Sequence, residues 1–312
     1  MPKRGAENAM RFRVFALTLW LLLTGVAVAV GAPAVPSAEK IPVGDAVRTY
    51  SLYIPSGMER QKPAPLLFVL HGSGGSGEDM RTLTQRGFER LADRDKFVVV
   101  YPDALERRWN EQDGNIDDAG FLLAVADQLA ARGVADAKRV YFAGISNGGM
   151  MAERMACEYS DRVAAIAVVA GSMTEKMAAA CKPSRAMPVL LIHGTEDLII
   201  PWSGGAVAGF EDFGKVLSAK AAARFWATQN LCGETPRVSA EPDLDPTDGI
   251  RVYAERFIDC KKKSEVDLFV IEGGGHTWPG GYQYLPERFI GKTSKDMDAN
   301  KIIWEFFQRW RE

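Results

Sequence analysis

The sequence has no surplus of positive charge. Its 38 Lys and Arg residues stand against 40 Asp and Glu residues, for a formal net charge of −2 at pH 7. Proteins that bind nucleic acid carry a basic patch or stripe, so we expect no nucleic-acid partner. The sequence also lacks a C-x-x-C pair and any mixed Cys/His spacing, which excludes the usual structural zinc sites. No internal repeat and no low-complexity linker interrupts the chain, which favours a single domain.

Histidine is scarce as well, because the chain has three. Each histidine follows a short apolar run and lies in a glycine-rich motif. With their preceding runs, they are His71 after Leu66–Leu70, His193 after Val189–Ile192 and His276 after Val266–Ile271. A serine motif lies between the first two, and the order serine, aspartate, histidine, each past a predicted strand, is that of an α/β-hydrolase triad.

The N-terminus is predicted to be a secretory signal peptide. Basic residues precede an uncharged apolar stretch over Val14–Val30, and small residues with an A-x-A pattern at 32–34 follow it. We therefore predict a signal peptide over residues 1–34 and a single catalytic domain over 35–312. An uncleaved anchor is the alternative, because the stretch approaches the length that spans a bilayer. With cleavage, we expect a secreted or periplasmic protein with no stable membrane association.

Export makes the four cysteines interpretable as disulfides. An even number of cysteines in an exported chain favours disulfides over free thiols, and four allow three pairings. Cys157 with Cys181 and Cys232 with Cys260 is the favoured pairing, because each bond closes a modest local loop. Four buried thiols are the alternative.

Short apolar runs separated by helix-length segments predict the fold class. One run, Arg48–Ile54, alternates polar and apolar residues and predicts an antiparallel strand near a sheet edge. The others are continuous, as in strands buried on both faces of a parallel sheet: Leu66–Leu70, Phe97–Tyr101, Arg139–Ala143, Val163–Val169, Val189–Ile192 and Val266–Ile271. We predict an α/β fold with a mostly parallel central sheet and helices on both faces.

Apolar residues at helical spacing predict the packed face of each helix. The stripes are Phe121 to Leu129 after a capping Asp117-Asp118, Val216 to Trp226, and Ile302 to Trp310. A further helix is predicted after the serine motif, over Met150–Ala156.

The motif Gly144-Ile-Ser146-Asn-Gly148 follows one predicted strand and precedes one predicted helix. Such a tight strand-to-helix turn forces the serine into a strained conformation with its Oγ exposed above the sheet. We predict that Ser146 is a nucleophile. The alternative is an ordinary glycine-rich turn.

A serine hydroxyl needs a base and the base needs an acceptor. His276 lies in a glycine-rich loop predicted to be flexible, from which it could reach Ser146, so it is the candidate base. His71 and His193 are expected to hold their loops through ring hydrogen bonds. Asp197 is the candidate acceptor, because the apolar residues after it would half-bury it. Glu196 is its rival.

The tetrahedral intermediate requires donors aimed at its oxyanion. One is expected to be the backbone N–H of Asn147, directly after the nucleophile. The second is expected from the loop after Leu66–Leu70, from Ser73 first and Gly74 next. A plain glycine turn or a phosphate cradle is the alternative for that loop, although it lacks the lysine of a P-loop.

Several motifs together resemble the polyhydroxybutyrate depolymerase and feruloyl esterase family of LpqC-like secreted esterases. The motifs cover nearly all of the predicted mature chain: Leu70–Gly75, Trp109-Asn110, Asp117–Phe121, Arg139–Met150, His193–Asp197 and Gly274–Gly281. The resemblance implies an α/β-hydrolase fold, ester hydrolysis through Ser146, Asp197 and His276, and no cofactor. It also implies that Trp109 and Trp278 flank the substrate pocket, unless they are core aromatics.

The resemblance implies a serine esterase that uses an acyl-enzyme intermediate. Depolymerases that attack solid polyester carry a linker and a polymer-binding domain, which this chain does not show. We therefore expect a small or oligomeric ester as substrate, either a hydroxyalkanoate oligoester or a feruloyl or acetyl ester. We also expect a monomeric enzyme. The loops Trp202–Gly214 and Tyr282–Ile290 are expected to shape the acyl pocket. An acyltransferase on the same fold and a non-catalytic exported binding protein are the alternatives.

Overall fold

A computed structural model describes residues 36–58, 62–111, 116–209, 213–261 and 263–310. All of them belong to one unit, Pro33–Glu312. The predicted signal peptide, residues 1–34, lies outside the described residues. No helix in the described ranges combines the length and the apolar character needed to cross a membrane.

Strands and helices alternate along the described chain. The strands are β1 Ser37–Val43, β2 Ala46–Tyr53, β3 Ala64–Leu70, β4 Val98–Pro102, β5 Ala135–Ile145, β6 Ala165–Val169, β7 Val189–Gly194, β8 Gly205–Ala206, β9 Lys215–Val216, β10 Arg237–Ala240, β11 Arg251–Phe257 and β12 Val266–Glu272. The helices are α1 Gly77–Leu83, α2 Gly87–Asp95, α3 Asp118–Ala131, α4 Asn147–Glu158, α5 Glu175–Ala180, α6 Ala219–Gln229, α7 Glu287–Ile290 and α8 Ala299–Gln308.

The described residues form a 10-stranded sheet in the order β1-β2-β4-β3-β5-β6-β7-β12-β11-β10. The six central strands, β4, β3, β5, β6, β7 and β12, pair in parallel. Antiparallel strands flank them on both sides. The prediction of a mostly parallel sheet is confirmed. The antiparallel strand predicted near an edge is β2, which lies one strand inside the edge strand β1.

Helices cover both faces of this sheet, which explains why the central strands read as continuous apolar runs. Every residue of β3 is buried. Leu66 and Phe68 face one core, where they pack with residues of α3, α4 and α6. Leu67 and Val69 face the other, with residues of α1, α2 and α8. The prediction of helices on both faces is confirmed.

Capping side chains set the helix boundaries. The Asp117 carboxylate accepts from the Gly120 backbone N–H at 2.7 Å and begins α3, as predicted. Ser218 caps α6 in the same manner through the Ala221 N–H. The predicted helical stripe therefore began too early, because Val216 precedes the cap and belongs to β9.

Two disulfides join the cysteines in the predicted pairing. Cys157 at the end of α4 is bonded to Cys181 after α5. Cys232 after α6 is bonded to Cys260 after β11. The alternative of four buried thiols is wrong, and the described residues hold no free cysteine.

A buried ion pair joins β2 to the start of α3. The Arg48 guanidinium donates to the Asp118 carboxylate, and these side chains are 2% and 0% exposed. Arg48 also lies over the Phe121 ring, 4.1 Å from its centroid. This contact holds the first turn of α3 against the sheet.

Replacing Arg48 alone should strongly destabilise the protein. Arg48→Met leaves the Asp118 carboxylate buried without its cation, which should lower the unfolding free energy by about 3–5 kcal/mol in urea denaturation. Arg162→Ala is the control, because it breaks an ion pair with Asp127 that is largely exposed, and it should cost under about 1 kcal/mol. The double variant Arg48→Met, Asp118→Asn should regain much of the loss. Equal effects of Arg48→Met and Arg162→Ala would contradict this account.

Candidate active site

Ser146 occupies the turn between β5 and α4 with an unusual backbone conformation. Its φ and ψ are 57° and −125°, a region that costs a non-glycine residue on the order of 1–3 kcal/mol. Its N–H donates to the Val169 carbonyl at the end of β6, at 2.9 Å. The predicted strained strand-to-helix turn is therefore present, at the carboxyl edge of the parallel strands.

The two glycines of the serine motif are required by close packing. A Cβ on Gly144 would lie 2.4 Å from the backbone carbon of Gly148. A Cβ on Gly148 would lie 2.5 Å from the carbonyl oxygens of Leu70 and His71. Only glycine at both positions lets α4 begin this close to the end of β3, so the turn can be this tight.

Asp197 lies in the loop after β7, and its carboxylate accepts hydrogen bonds from this loop and from His276. Its Oδ1 accepts from the backbone N–H groups of Ile199 and Ile200, each at 2.8 Å. Its Oδ2 accepts from His276 Nδ1 at 2.8 Å. Asp197 is 7% exposed, whereas Glu196 is exposed, so the structure brings Asp197 and not its rival to the histidine.

The His276 loop is held more firmly than its glycines predict. The His276 N–H donates to the Ile290 carbonyl at 2.5 Å, and the Gly275 N–H donates to the Lys292 carbonyl at 2.9 Å. A Cβ on Gly275 would lie 2.0 Å from the Ile290 oxygen. The glycines therefore serve a close backbone approach, and the expectation of a flexible loop is corrected accordingly.

Tyr284 adds a contact to this loop that sequence reasoning missed. Its hydroxyl donates to the His276 carbonyl at 3.0 Å. Burial, followed by the nearby Asp197 carboxylate, raises the pKa of the Tyr284 hydroxyl, so the group stays protonated as a donor. The sequence offered one signal for Tyr284, which is its place in the 282–290 loop. That loop was predicted to shape the pocket, but no single residue in it was given a role.

The other two histidines hold loops, as predicted. His71 Nε2 accepts from the Ala104 N–H at 3.1 Å, and its Nδ1 lies 2.8 Å from the Gly72 carbonyl. His193 Nε2 donates to the Ile200 carbonyl at 2.9 Å. Burial lowers the pKa of both rings, which keeps them neutral.

Asn147 directly follows Ser146, and Ser73 lines the same cleft as Ser146. Asn147 is the first residue of α4, where backbone N–H groups have no acceptor within the helix. Ser73 lies in the loop after β3, and its Oγ is buried without a hydrogen-bond partner in the described part of the chain. Both residues are thus on the elements from which oxyanion donors were expected.

A cleft of about 500 Å³ opens above Ser146. It is lined by His71–Gly75, Asp79, Met80, Thr82, Leu83, Ile145, Ser146, Ile199, His276, Tyr282, Tyr284 and Leu285. Among these described residues Asp79 is the one carboxylate, and none is a lysine or arginine. The rest of the lining is mostly apolar, and its polar groups come from one glycine loop, Asp79, Thr82, Ser146, His276 and the two tyrosines.

The structure does not bring Trp109 or Trp278 into the lining of this cleft. Both side chains are fully buried. The Trp109 indole N–H donates to the His71 carbonyl at 2.9 Å, and that of Trp278 donates to Asn300 at 3.2 Å. They are core aromatics in the structure, because each indole has its partner inside the fold. The 202–214 loop contributes no described residue to the cleft, whereas the 282–290 loop contributes three.

Residues 48–231 match the model of a known family, Esterase PHB depolymerase. The chain belongs to this family. It is 30% identical over 291 residues to a candidate esterase, NocK, of Nocardia uniformis subsp. tsuyamanensis, across 88% of this chain and 83% of that protein. The match identifies the chain as a carboxylic ester hydrolase.

The chain is also similar to one further esterase in sequence and to another in structure. It is 29% identical to feruloyl esterase B of Piromyces equi over 71% of this chain, but it spans only 41% of that relative. Acetyl xylan esterase from Aspergillus awamori superposes with a TM-score of 0.57 at 16% identity, over 88% of this chain and 99% of that one. At that identity the likeness establishes the fold alone, which is the predicted α/β-hydrolase fold.

Glu153, two turns after Ser146 on α4, is a buried acid that sequence reasoning also missed. Its side chain is fully buried, the Trp226 indole N–H donates to its Oε1 at 3.4 Å, and its Oε2 has no partner among the described residues. Burial raises the pKa of this carboxyl from 4.5 to about 8. Its position gave no signal, because one glutamate on a helix is normally exposed.

Glu153 should make stability fall as pH rises. Between pH 4.5 and about 8 the folded protein keeps a proton that the unfolded chain has lost, so the unfolding free energy decreases. Glu153→Gln removes this titration, and its stability relative to the unaltered protein should rise by about 3 kcal/mol from pH 5 to pH 8 in urea denaturation. Glu158→Gln, an exposed position on the same helix, is the control. Parallel pH profiles for Glu153→Gln and the unaltered protein would refute the buried neutral acid.

Proposed function

We propose that this esterase hydrolyses neutral carboxylic esters through Ser146, His276 and Asp197. The observation that carries the proposal is the 2.8 Å contact between His276 Nδ1 and Asp197, in a cleft that Ser146 and His276 both line. These residue types in this arrangement support nucleophilic catalysis of acyl transfer.

The Asp197 contact selects the tautomer of the base. A carboxylate only accepts hydrogen bonds, so His276 Nδ1 carries the proton and Nε2 keeps a free lone pair. Nε2 takes the Ser146 hydroxyl proton as Oγ bonds to the acyl carbon, and the carbonyl π electrons move to the oxygen. Asp197 stabilises the imidazolium that results.

The tetrahedral oxyanion needs donors as it forms. The backbone N–H of Asn147, from the first turn of α4, and the Ser73 loop are the proposed sources. Collapse of the intermediate breaks the bond to the alcohol, which leaves with the proton from His276. Water then attacks the acyl-serine by the same steps, with His276 as base, and releases the acid and free Ser146. These residues complete the cycle without a cofactor.

The cleft favours uncharged acyl groups with apolar or aromatic surface. Its volume of about 500 Å³ lies in the range of small-molecule sites, and Met80, Leu83 and Leu285 line it with two tyrosines. With no lysine or arginine among its described lining residues, it offers little to bind a substrate carboxylate. Hydroxyalkanoate oligoesters and feruloyl or acetyl esters fit this description, and a feruloyl esterase is among its relatives.

Export fits the same proposal. The two disulfides are typical of proteins from oxidising compartments, and the predicted signal peptide would deliver the chain there. We infer a secreted or periplasmic monomer that meets its ester substrate in solution.

Ser146→Ala should abolish hydrolysis. Without the nucleophile no acyl-enzyme forms, so turnover of p-nitrophenyl butyrate should fall by at least about 10³-fold, and a fluorophosphonate probe should no longer label the protein. Ser172→Ala is the control, since the buried Ser172 hydroxyl donates to the Leu217 carbonyl, and this variant should retain labelling.

The same assay identifies the substrate class. Methyl ferulate, hydroxybutyrate oligomers and acetylated xylan should be compared, with each acid product measured. Neutral esters should be hydrolysed faster than analogues that carry a free carboxylate on the acyl group. Full turnover by Ser146→Ala, or labelling of that variant, would exclude the proposed nucleophile.

A further inference from the structure

A buried hydrogen-bonded segment links the start of α4 to the loop after β3. We propose that the Asn147 side chain, the Trp109 backbone and the Glu111 carboxylate act together as positioning groups for the oxyanion donors. The inference rests on the proposed function, because it concerns the transition state of ester hydrolysis. It assigns a role to the Asn147 side chain that is separate from that of its backbone N–H.

The Asn147 side-chain amide makes three hydrogen bonds. Its Oδ1 accepts from the Trp109 N–H at 2.7 Å, and its Nδ2 donates to the Trp109 carbonyl at 3.0 Å. Nδ2 also donates to Glu111 Oε2 at 2.7 Å. Asn147 and Glu111 are 1% and 4% exposed, so these bonds form in a medium where they are strong.

Three bonds to one side chain fix the rotation of its residue. Asn147 follows Ser146 directly, so the peptide N–H between them turns with the Asn147 backbone. A carboxamide that pairs with both the N–H and the carbonyl of Trp109 allows little movement of that backbone. The donor expected to face the oxyanion is thereby held in direction before substrate arrives, which is what electrostatic stabilisation requires.

Trp109 carries the same constraint to the second donor loop. Its indole N–H donates to the His71 carbonyl at 2.9 Å, two residues before Ser73. One residue, Trp109, therefore contacts both elements that are expected to supply oxyanion donors. Their separation across the cleft is set by this residue.

The segment is itself anchored to the rest of the fold. The Asn110 N–H donates to Asp118 Oδ2 at 2.7 Å, and Arg154 donates to the Asn110 carbonyl at 2.7 Å. Asp118 is the carboxylate of the buried pair with Arg48. The positioning groups thus rest on α3 and α4 rather than on a free loop.

The chain contains a matched pairing remote from the cleft. Asn230, also fully buried, accepts from the Met187 N–H at 2.8 Å and donates to the Met187 carbonyl at 2.6 Å. Met187 precedes β7 and so lies at the amino end of the sheet, opposite Ser146. Asn147→Ala and Asn230→Ala each remove a pair of bonds to one backbone residue, beside Ser146 in the first case and far from it in the second. Asn147→Ala also removes the bond to Glu111.

The test measures kcat, KM and the thermal midpoint for both variants with p-nitrophenyl butyrate. Asn147→Ala should lower kcat about 100-fold with little change in KM, because a misdirected donor affects the transition state alone. Asn230→Ala should lower the midpoint but leave kcat unchanged. Glu111→Gln keeps an acceptor for Asn147 Nδ2 and should retain most of kcat, whereas Glu111→Ala should lose it. If Asn147→Ala does not fold, the comparison of Glu111→Gln with Glu111→Ala tests the proposal.

Each contrary result has a distinct meaning. An unchanged kcat in Asn147→Ala, an equal loss of kcat in Asn230→Ala, or equal losses in both Glu111 variants would overturn the inference while the proposed function stands. Absence of ester hydrolysis by the unaltered protein would overturn the proposed function itself.

Discussion

The contact between the Asp197 carboxylate and His276 is the interaction on which the rest of the site depends. The two residues are 79 positions apart in sequence, yet they follow β7 and β12, which are adjacent parallel strands. Because parallel strands end at the same edge of a sheet, strand order alone brings their loops together. The backbone N–H groups of Ile199 and Ile200 then hold the carboxylate in place, which orients the imidazole.

The same edge explains why the proposed nucleophile, Ser146, and the glycine loop share the cleft. Ser146 follows β5, and the His71 loop follows its neighbour β3. Gly148 lets α4 begin against the end of β3 without a clash, and the Trp109 segment ties the two turns together. Ligands of open α/β sheets bind at this edge. Here Ser146, His276 and the glycine loop all line one cleft.

Much of the fold could be predicted because the central strands are buried on both faces, and continuous apolar runs show this directly. The antiparallel strands β10 and β11 were missed, although the alternation of buried Val252 and Ala254 was a usable signal. The proposed site residues at strand ends were identifiable from their motifs. Glu111 and Tyr284 were not, since their contacts depend on loop paths that local sequence does not encode. The motifs left open whether Trp109 and Trp278 flank the pocket or lie in the core, and both are fully buried.

The role of Asp197 is tested most directly by Asp197→Asn against Glu196→Gln. Asparagine keeps an acceptor for the Ile199 and Ile200 N–H groups but presents its amide to His276, which reverses the tautomer and leaves Nε2 unable to accept a proton. We expect kcat to fall about 10⁴-fold in Asp197→Asn, the loss typical of this change in serine hydrolases. Glu196→Gln should keep near-normal activity, because the Glu196 side chain is exposed. Loss of activity in Glu196→Gln with retention in Asp197→Asn would contradict this role of Asp197.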